Sequence, residues 1–127
     1  VLNANYMLAR LKNHLSIPHD RICMHEFVAS AVPPMVENTS ALDLAKGLLD
    51  KGYHAPTIYF PLIVKECLMF EPTETESKET LDSFCDDLIT LVDLAKTNPQ
   101  ALHDAPVTLP VRRLDETKAA REMILRD

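Results

Sequence analysis

A chain of 127 residues, 46% hydrophobic and 25% charged, is long enough for one core and close to globular averages, which excludes a disordered chain. No apolar run approaches the roughly 20 residues that cross a bilayer, and the start, with Asn3, Asn5, Arg10, Lys12 and Asn13, lacks the apolar block of a secretion signal, so a cytoplasmic protein is expected. The net charge of −6 is carried by residues 71–87, where Glu71, Glu74, Glu76, Glu79, Asp82, Asp86 and Asp87 stand against Lys78; no clustered basic surface invites nucleic acid.

The spacing of Ala4, Leu8, Leu11 and Leu15 predicts a first helix over residues 2–15. Val1 opens the chain almost inside that pattern, as expected of a piece of a longer protein. Residues 22–29 alternate like a strand, placing Cys23, His25 and Phe27 on one face and Met24, Glu26 and Val28 on the other, until Pro33-Pro34 stops it. Ser40 with Asp43 three residues on predicts a capped second helix, with Leu42, Ala45, Leu48 and Leu49 buried and Lys51-Gly52 closing it. Residues 58–60 and 67–70 read as an antiparallel strand pair. The strongest helical pattern follows: Leu81, Phe84, Cys85, Leu88, Ile89, Val92 and Ala95, starting at 75–77 and fraying by Asn98-Pro99. Pro106 and Pro110 predict an extended stretch over 105–111, and residues 114–125 a last, charged helix. Helices packed on one face of a small, mainly antiparallel sheet are the expected α+β architecture.

The chemistry is defined first by what is missing. Gly47 and Gly52 are the only glycines, so neither a phosphate-binding loop nor a GxSxG nucleophile elbow can form. His14, His19, His25, His54 and His103 show no HExxH spacing, and Cys23, Cys67 and Cys85 no CxxC pair, so no metal site is expected. Cys67 and Cys85 fall in apolar stretches as buried free thiols, and an odd cysteine count fits a reducing compartment. His25, mid-strand, is a structural histidine unable to pair simply with Glu26, since strand neighbours point to opposite faces. His54 stands in the loop before Ala55-Pro56-Thr57, where Pro56 keeps the segment extended; a loop histidine there is either functional or merely solvated. Thr73 with Glu76 forms a possible capping box, and four nearby acids oppose anion binding at that helix start.

The string YHAPTIYFPLIVKECLMFEPTETESKETLD (53–82), preceded by NANYMLARLKNHL (3–15) and CMHEFVAS (23–30) and followed by TLPVRRLDETKAAR (108–121), resembles the C-terminal part of the glycine decarboxylase of the glycine cleavage system, its P-protein, most of all subunit 2 of the two-subunit bacterial form. The resemblance implies the aspartate-aminotransferase-type fold (fold type I). In that fold a large domain holds pyridoxal phosphate on a lysine, and a small C-terminal α+β domain closes one side of the cleft. Residues 1–104 correspond to the small domain and 105–127 to a tail; the large cofactor-binding domain is not in this chain. The implied reaction is decarboxylation of glycine with aminomethyl transfer to the lipoyl group of H-protein, alongside P-protein subunit 1. None of Lys12, Lys46, Lys51, Lys65, Lys78, Lys96 or Lys118 sits in the context of the family's cofactor lysine, so this chain alone is expected to be inactive and to bind no pyridoxal phosphate. His54, Thr57 and His25 remain as possible cleft-lining groups. The alternative is a non-enzymatic subunit-interaction module using the acidic 71–87 face or the arginine-bearing tail; an independent small-molecule-binding domain is a third.

Overall fold

The computed structural model describes residues 1–32 and 39–126; the stop assigned to Pro33-Pro34 lies outside the described residues. Helix α1 spans Leu2–Leu11 and buries Ala4, Met7, Leu8 and Leu11. It is one turn shorter than the periodicity suggests, because Leu15 reaches the core from a turn closed by its N–H donating to the Leu11 carbonyl at 2.9 Å.

Strand β1 is Phe27–Ser30, half the length expected from the 22–29 alternation. Among the described residues its ladder partner is β3, Cys67–Phe70, with an isolated bridge from Ser30 to Ser16, and Phe27 already pairs with the last residue of β3, Phe70, so β3 offers residues 22–26 no further partner. Cys23 instead exchanges hydrogen bonds with the Asn5 side chain, its N–H donating at 3.0 Å and its carbonyl accepting at 2.8 Å. The face assignment of Met24, His25 and Glu26 therefore fails with the strand. Strand β2, Thr57–Ile58, pairs antiparallel with β3, giving the order β1-β3-β2. It ends at Tyr59, which adopts φ 60°, ahead of the cis Phe60-Pro61 bond.

Helix α2, Ala41–Asp50, carries the expected capping box: Ser40 Oγ accepts from Asp43 N–H, and the Asp43 carboxylate accepts from Ser40 N–H at 2.8 Å. Lys51, still in right-handed backbone, is followed by Gly52 (φ +84°), which closes the helix in left-handed backbone that glycine enters without a Cβ penalty. Its buried stripe is Ala41, Leu44, Ala45 and Leu48, while Leu42 and Leu49 are half-buried. The helix is apolar over so wide an arc that spacing alone selects the wrong edge. Packing decides it: a Cβ at Gly47 would lie 2.9 Å from Leu91 Cδ2 and 3.3 Å from Leu102 Cδ2, so the bare backbone there admits both leucines.

Helix α3, Lys78–Thr97, is capped by Ser77, whose side chain accepts from Thr80 N–H; Thr73 and Glu76 form only a preceding turn. Helices α1, α2 and α4 (Pro99–Asp104) all pack on α3. The sheet adds Phe27, Ala29, Leu68 and Phe70 to the same core, while Val28 and Met69 on its other face stay half-exposed. Helix α4 replaces the fraying expected at Asn98-Pro99, because a proline at the first helical position lacks only an N–H that would go unpaired anyway. Helix α5, Glu116–Arg121, is exposed throughout and shorter than the 114–125 pattern. None of the described helices is long and apolar enough to cross a membrane.

The acids of α3 do more than face solvent. Asp82 accepts from Tyr6, Arg10 and Lys78, Asp86 from Arg10, and Asp87 from Tyr53 at 2.8 Å with Lys51 at 3.0 Å. They tie α1 and the end of α2 to α3.

Candidate functional site

At the end of the β2–β3 pair where β2 begins and β3 ends, a groove of about 300 Å³ opens between residues 53–57, residues 69–73 and the first turns of α3, with Met7 of α1 at its base. This is the lower end of ordinary ligand-pocket volume. One wall is aromatic: Phe84 meets Tyr53 edge-on at 5.1 Å and Phe70 at 6.0 Å, and Phe70 stacks on Phe27 at 5.0 Å. Glu71, Thr73 and Glu76 also line the groove.

The local sequence places each group. Gly52 turns the chain out of α2, and Tyr53 N–H donates to the Leu48 carbonyl at 3.1 Å, which aims Tyr53 along α3. Its hydroxyl donates to Asp87; burial first, and then that bond, push the phenol up to about 12, so it stays a donor. Burial opposes ionisation of Asp87, but hydrogen bonds from Lys51 and Tyr53 outweigh it and hold the carboxyl below the usual range. With Tyr53 fixed, His54 and Thr57 follow on the exposed edge of the groove, and both line it. His25 does not join them. It lies outside the groove with its side chain 76% exposed and 3.8 Å from Glu26, so it is neither the mid-strand structural histidine expected nor kept apart from its neighbour.

Two of the three thiols are out of reach. Cys67 and Cys85 are buried free thiols; burial raises both, Cys85 to about 11, which leaves no ready thiolate. Among the described residues, no three His, Cys, Asp or Glu side chains converge as metal ligands.

Pyridoxal phosphate, which the resemblance implies, does not fit the residues present. Its phosphate calls for cations or a cradle of free N–H groups and its aldehyde for a lysine amine, yet among the described residues no lysine or arginine lines the groove, and Glu71 and Glu76 would repel a phosphate. What the groove offers is an imidazole, hydroxyls, two carboxylates and an aromatic wall, suited to neutral or cationic groups.

Sequence reading missed two carboxylates that seat the tail on α2. Asp50 accepts from Val107 N–H at 2.8 Å and from Thr108 through both its N–H (2.8 Å) and its hydroxyl (2.7 Å). Asp43, only 3% exposed, accepts from Arg113 at 2.6 Å, and Arg113 also donates to the carbonyls of Leu102 and Ala105, each at 2.8 Å. Burial disfavours the Asp43 charge, but bonds from Ser40 and Arg113 prevail and lower its pKa. Asp50 behaves alike, with Thr108 as its main donor. The signal available in the sequence was the arginine pair 112–113 beyond a proline-bounded stretch, which spacing cannot connect to residue 43.

Residues 1–107 match the family described as "Glycine dehydrogenase, C-terminal domain". Over 126 residues the chain is 57% identical to the probable glycine dehydrogenase (decarboxylating) subunit 2 of Desulforamulus reducens, covering 98% of this chain and 26% of that protein. The protein of the same name from Bacillus cytotoxicus is 57% identical over 126 residues, and that from Treponema denticola 57% over 128, each covering 99% of this chain and 26% of the relative. The chain thus spans about a quarter of the length of these relatives, and its clamped tail falls within the shared part. With the match covering α1 through α4 and the groove between them, the chain belongs to the glycine dehydrogenase C-terminal domain family.

Proposed function

We propose that this chain is the small C-terminal domain of subunit 2 of a glycine decarboxylase, the P-protein of a bacterial glycine cleavage system, and that it supplies one wall of the catalytic cleft. Residues 1–104 are its body and 105–127 its tail. The complete protein would be a cytoplasmic fold-type-I enzyme that decarboxylates glycine and passes the aminomethyl group to the lipoyl group of H-protein, acting with P-protein subunit 1. The observation that carries this reading is identity of 57% along essentially the whole chain to proteins named as that subunit.

The cofactor lysine and the phosphate contacts belong to the large domain in this reading, in keeping with a groove that lacks cations. The protein's part in such chemistry is orientation and electrostatics. Here that falls to His54 and Thr57: an imidazole and a hydroxyl at the groove edge can hold a neutral or cationic substrate group, or hand a proton to it, while the Phe70–Phe84–Tyr53 wall excludes water. His25, which does not line the groove, is given no role in this reading.

The test compares the chain with the complete subunit. The 127-residue chain mixed with pyridoxal phosphate is expected to develop no absorbance near the visible edge and no glycine decarboxylation, whereas the complete subunit with subunit 1 and lipoylated H-protein decarboxylates glycine. A complete protein inactive on glycine under those conditions would overturn the reading.

A further inference from the structure

At the other end of the β2–β3 pair, away from the groove, residues 59–66 form a loop with little freedom. Two non-glycine residues near its ends, Tyr59 (φ 60°) and Glu66 (φ 48°), are held in left-handed backbone. Tyr59 N–H donates to the Cys67 carbonyl at 2.9 Å, Val64 N–H to the Pro61 carbonyl at 3.1 Å, and Cys67 Sγ to the Phe60 carbonyl at 3.0 Å. The Glu66 carboxylate accepts from Ala41 N–H at 2.6 Å, at the start of α2, and the Glu66 carbonyl from Ala31 N–H at 2.9 Å. Val64 turns into the protein. Phe60, Leu62 and Ile63 turn out, 56%, 88% and 86% exposed.

An apolar tip on so fixed a base gives up little further entropy when it is covered, which is the property of a preorganised docking element. Its size selects the occupant. Three side chains expose a few hundred Å², far below the roughly 1,200–2,000 Å² that holds separate proteins together. A surface tethered to the same polypeptide needs no such area, because docking is then intramolecular. This chain covers 26% of the relatives, so most of their length lies outside it.

We propose that Phe60, Leu62 and Ile63 form a docking knob that inserts into an apolar socket on the remaining part of the same polypeptide, fixing this domain against it from the end opposite the groove. The inference rests on the chain being part of a longer protein, not on what that protein catalyses.

The experiment places Leu62→Cys in the complete subunit and follows alkylation by the mass of the peptide carrying residue 62, so that the native cysteines do not interfere. Docking is expected to slow labelling at least about tenfold relative to the same site in denaturant, since reaction must await local opening. That protection should survive about a hundredfold dilution and need no added protein. Labelling at the denatured rate overturns the proposal; so does protection that fades on dilution, which assigns the knob to a second copy, or protection that appears only with subunit 1, which assigns it to a separate partner. Ile63→Cys serves if Leu62→Cys does not fold. Loss of glycine decarboxylation with labelling still slow would count against the catalytic reading and leave the knob standing.

Discussion

Helix α1 and residues 107–113 both lie across another helix, yet they are held by different forces. Ala4, Met7, Leu8 and Leu11 are sealed into the core against α3, and Arg10 and Tyr6 add bonds to its acids. Beyond Pro106 the tail buries almost nothing: Val107, Leu109 and Val111 face outward, and it is held by the carboxylates of Asp43 and Asp50 near either end of α2. Apolar burial spreads stability over many side chains, whereas a polar seat concentrates it in two. The tail should therefore detach through single substitutions that leave the body folded, and the body should fail only when its core is opened.

The largest effect expected is in the body. Leu88→Ala empties a fully buried position between α3 and its neighbours and should cost about 2–5 kcal/mol, read as a lower urea midpoint with an unchanged slope. Next comes Asp43→Ala, which removes both the α2 capping box and the acceptor of Arg113; a loss of about 1–3 kcal/mol is expected, together with cleavage of the tail by trypsin. Asp50→Ala strips the acceptor from Val107 and Thr108 at a partly exposed site. It should free the tail to protease while shifting the unfolding midpoint by about 1 kcal/mol or less. A loss as large as that of Leu88→Ala would contradict the division into body and seat.

Acid sharpens the same contrast. Hydrogen bonds from Lys78 and Tyr6 draw the Asp82 carboxyl down to about 2, and Asp43, Asp50 and Asp87 are lowered as well. A carboxyl whose pKa is depressed by folding stabilises the fold above its unfolded value of about 3.9 and loses that contribution as pH falls through the folded value. Stability should be flat from neutral pH to about 4 and fall between about 4 and 2, where the α1–α3 acids and the tail seat protonate. A decline beginning near pH 6 would contradict that account.

The sequence made local features legible. Ser40 with Asp43, Lys51-Gly52, the β2–β3 pairing and the long α3 all depend on residues close in the chain, and the fold keeps them. Two of the failures come from competition by distant partners. Residues 22–26 alternate like a strand but find no ladder, because β3 runs out at Phe70 and Asn5 takes Cys23. The α2 face is set by Leu91 and Leu102 reaching Gly47 from elsewhere in the chain. Of the groove, the loop with His54 and Thr57 could be singled out from its neighbours Gly52 and Pro56, but the aromatic wall needs Tyr53, Phe70 and Phe84 brought together from three elements. His25 was grouped with them by the resemblance of its block, and it is not among the residues that line the groove.

The central claim is that the groove edge bearing His54 is part of the catalytic wall. Its most direct test is His54→Ala in the complete subunit, assayed by exchange of the glycine carboxyl with labelled bicarbonate in the presence of subunit 1 and H-protein. Because His54 is exposed and off the core, the variant should melt like the parent while its exchange rate falls by about a hundredfold or more, in the range lost with a general acid–base group. Exchange at the parental rate would contradict the account.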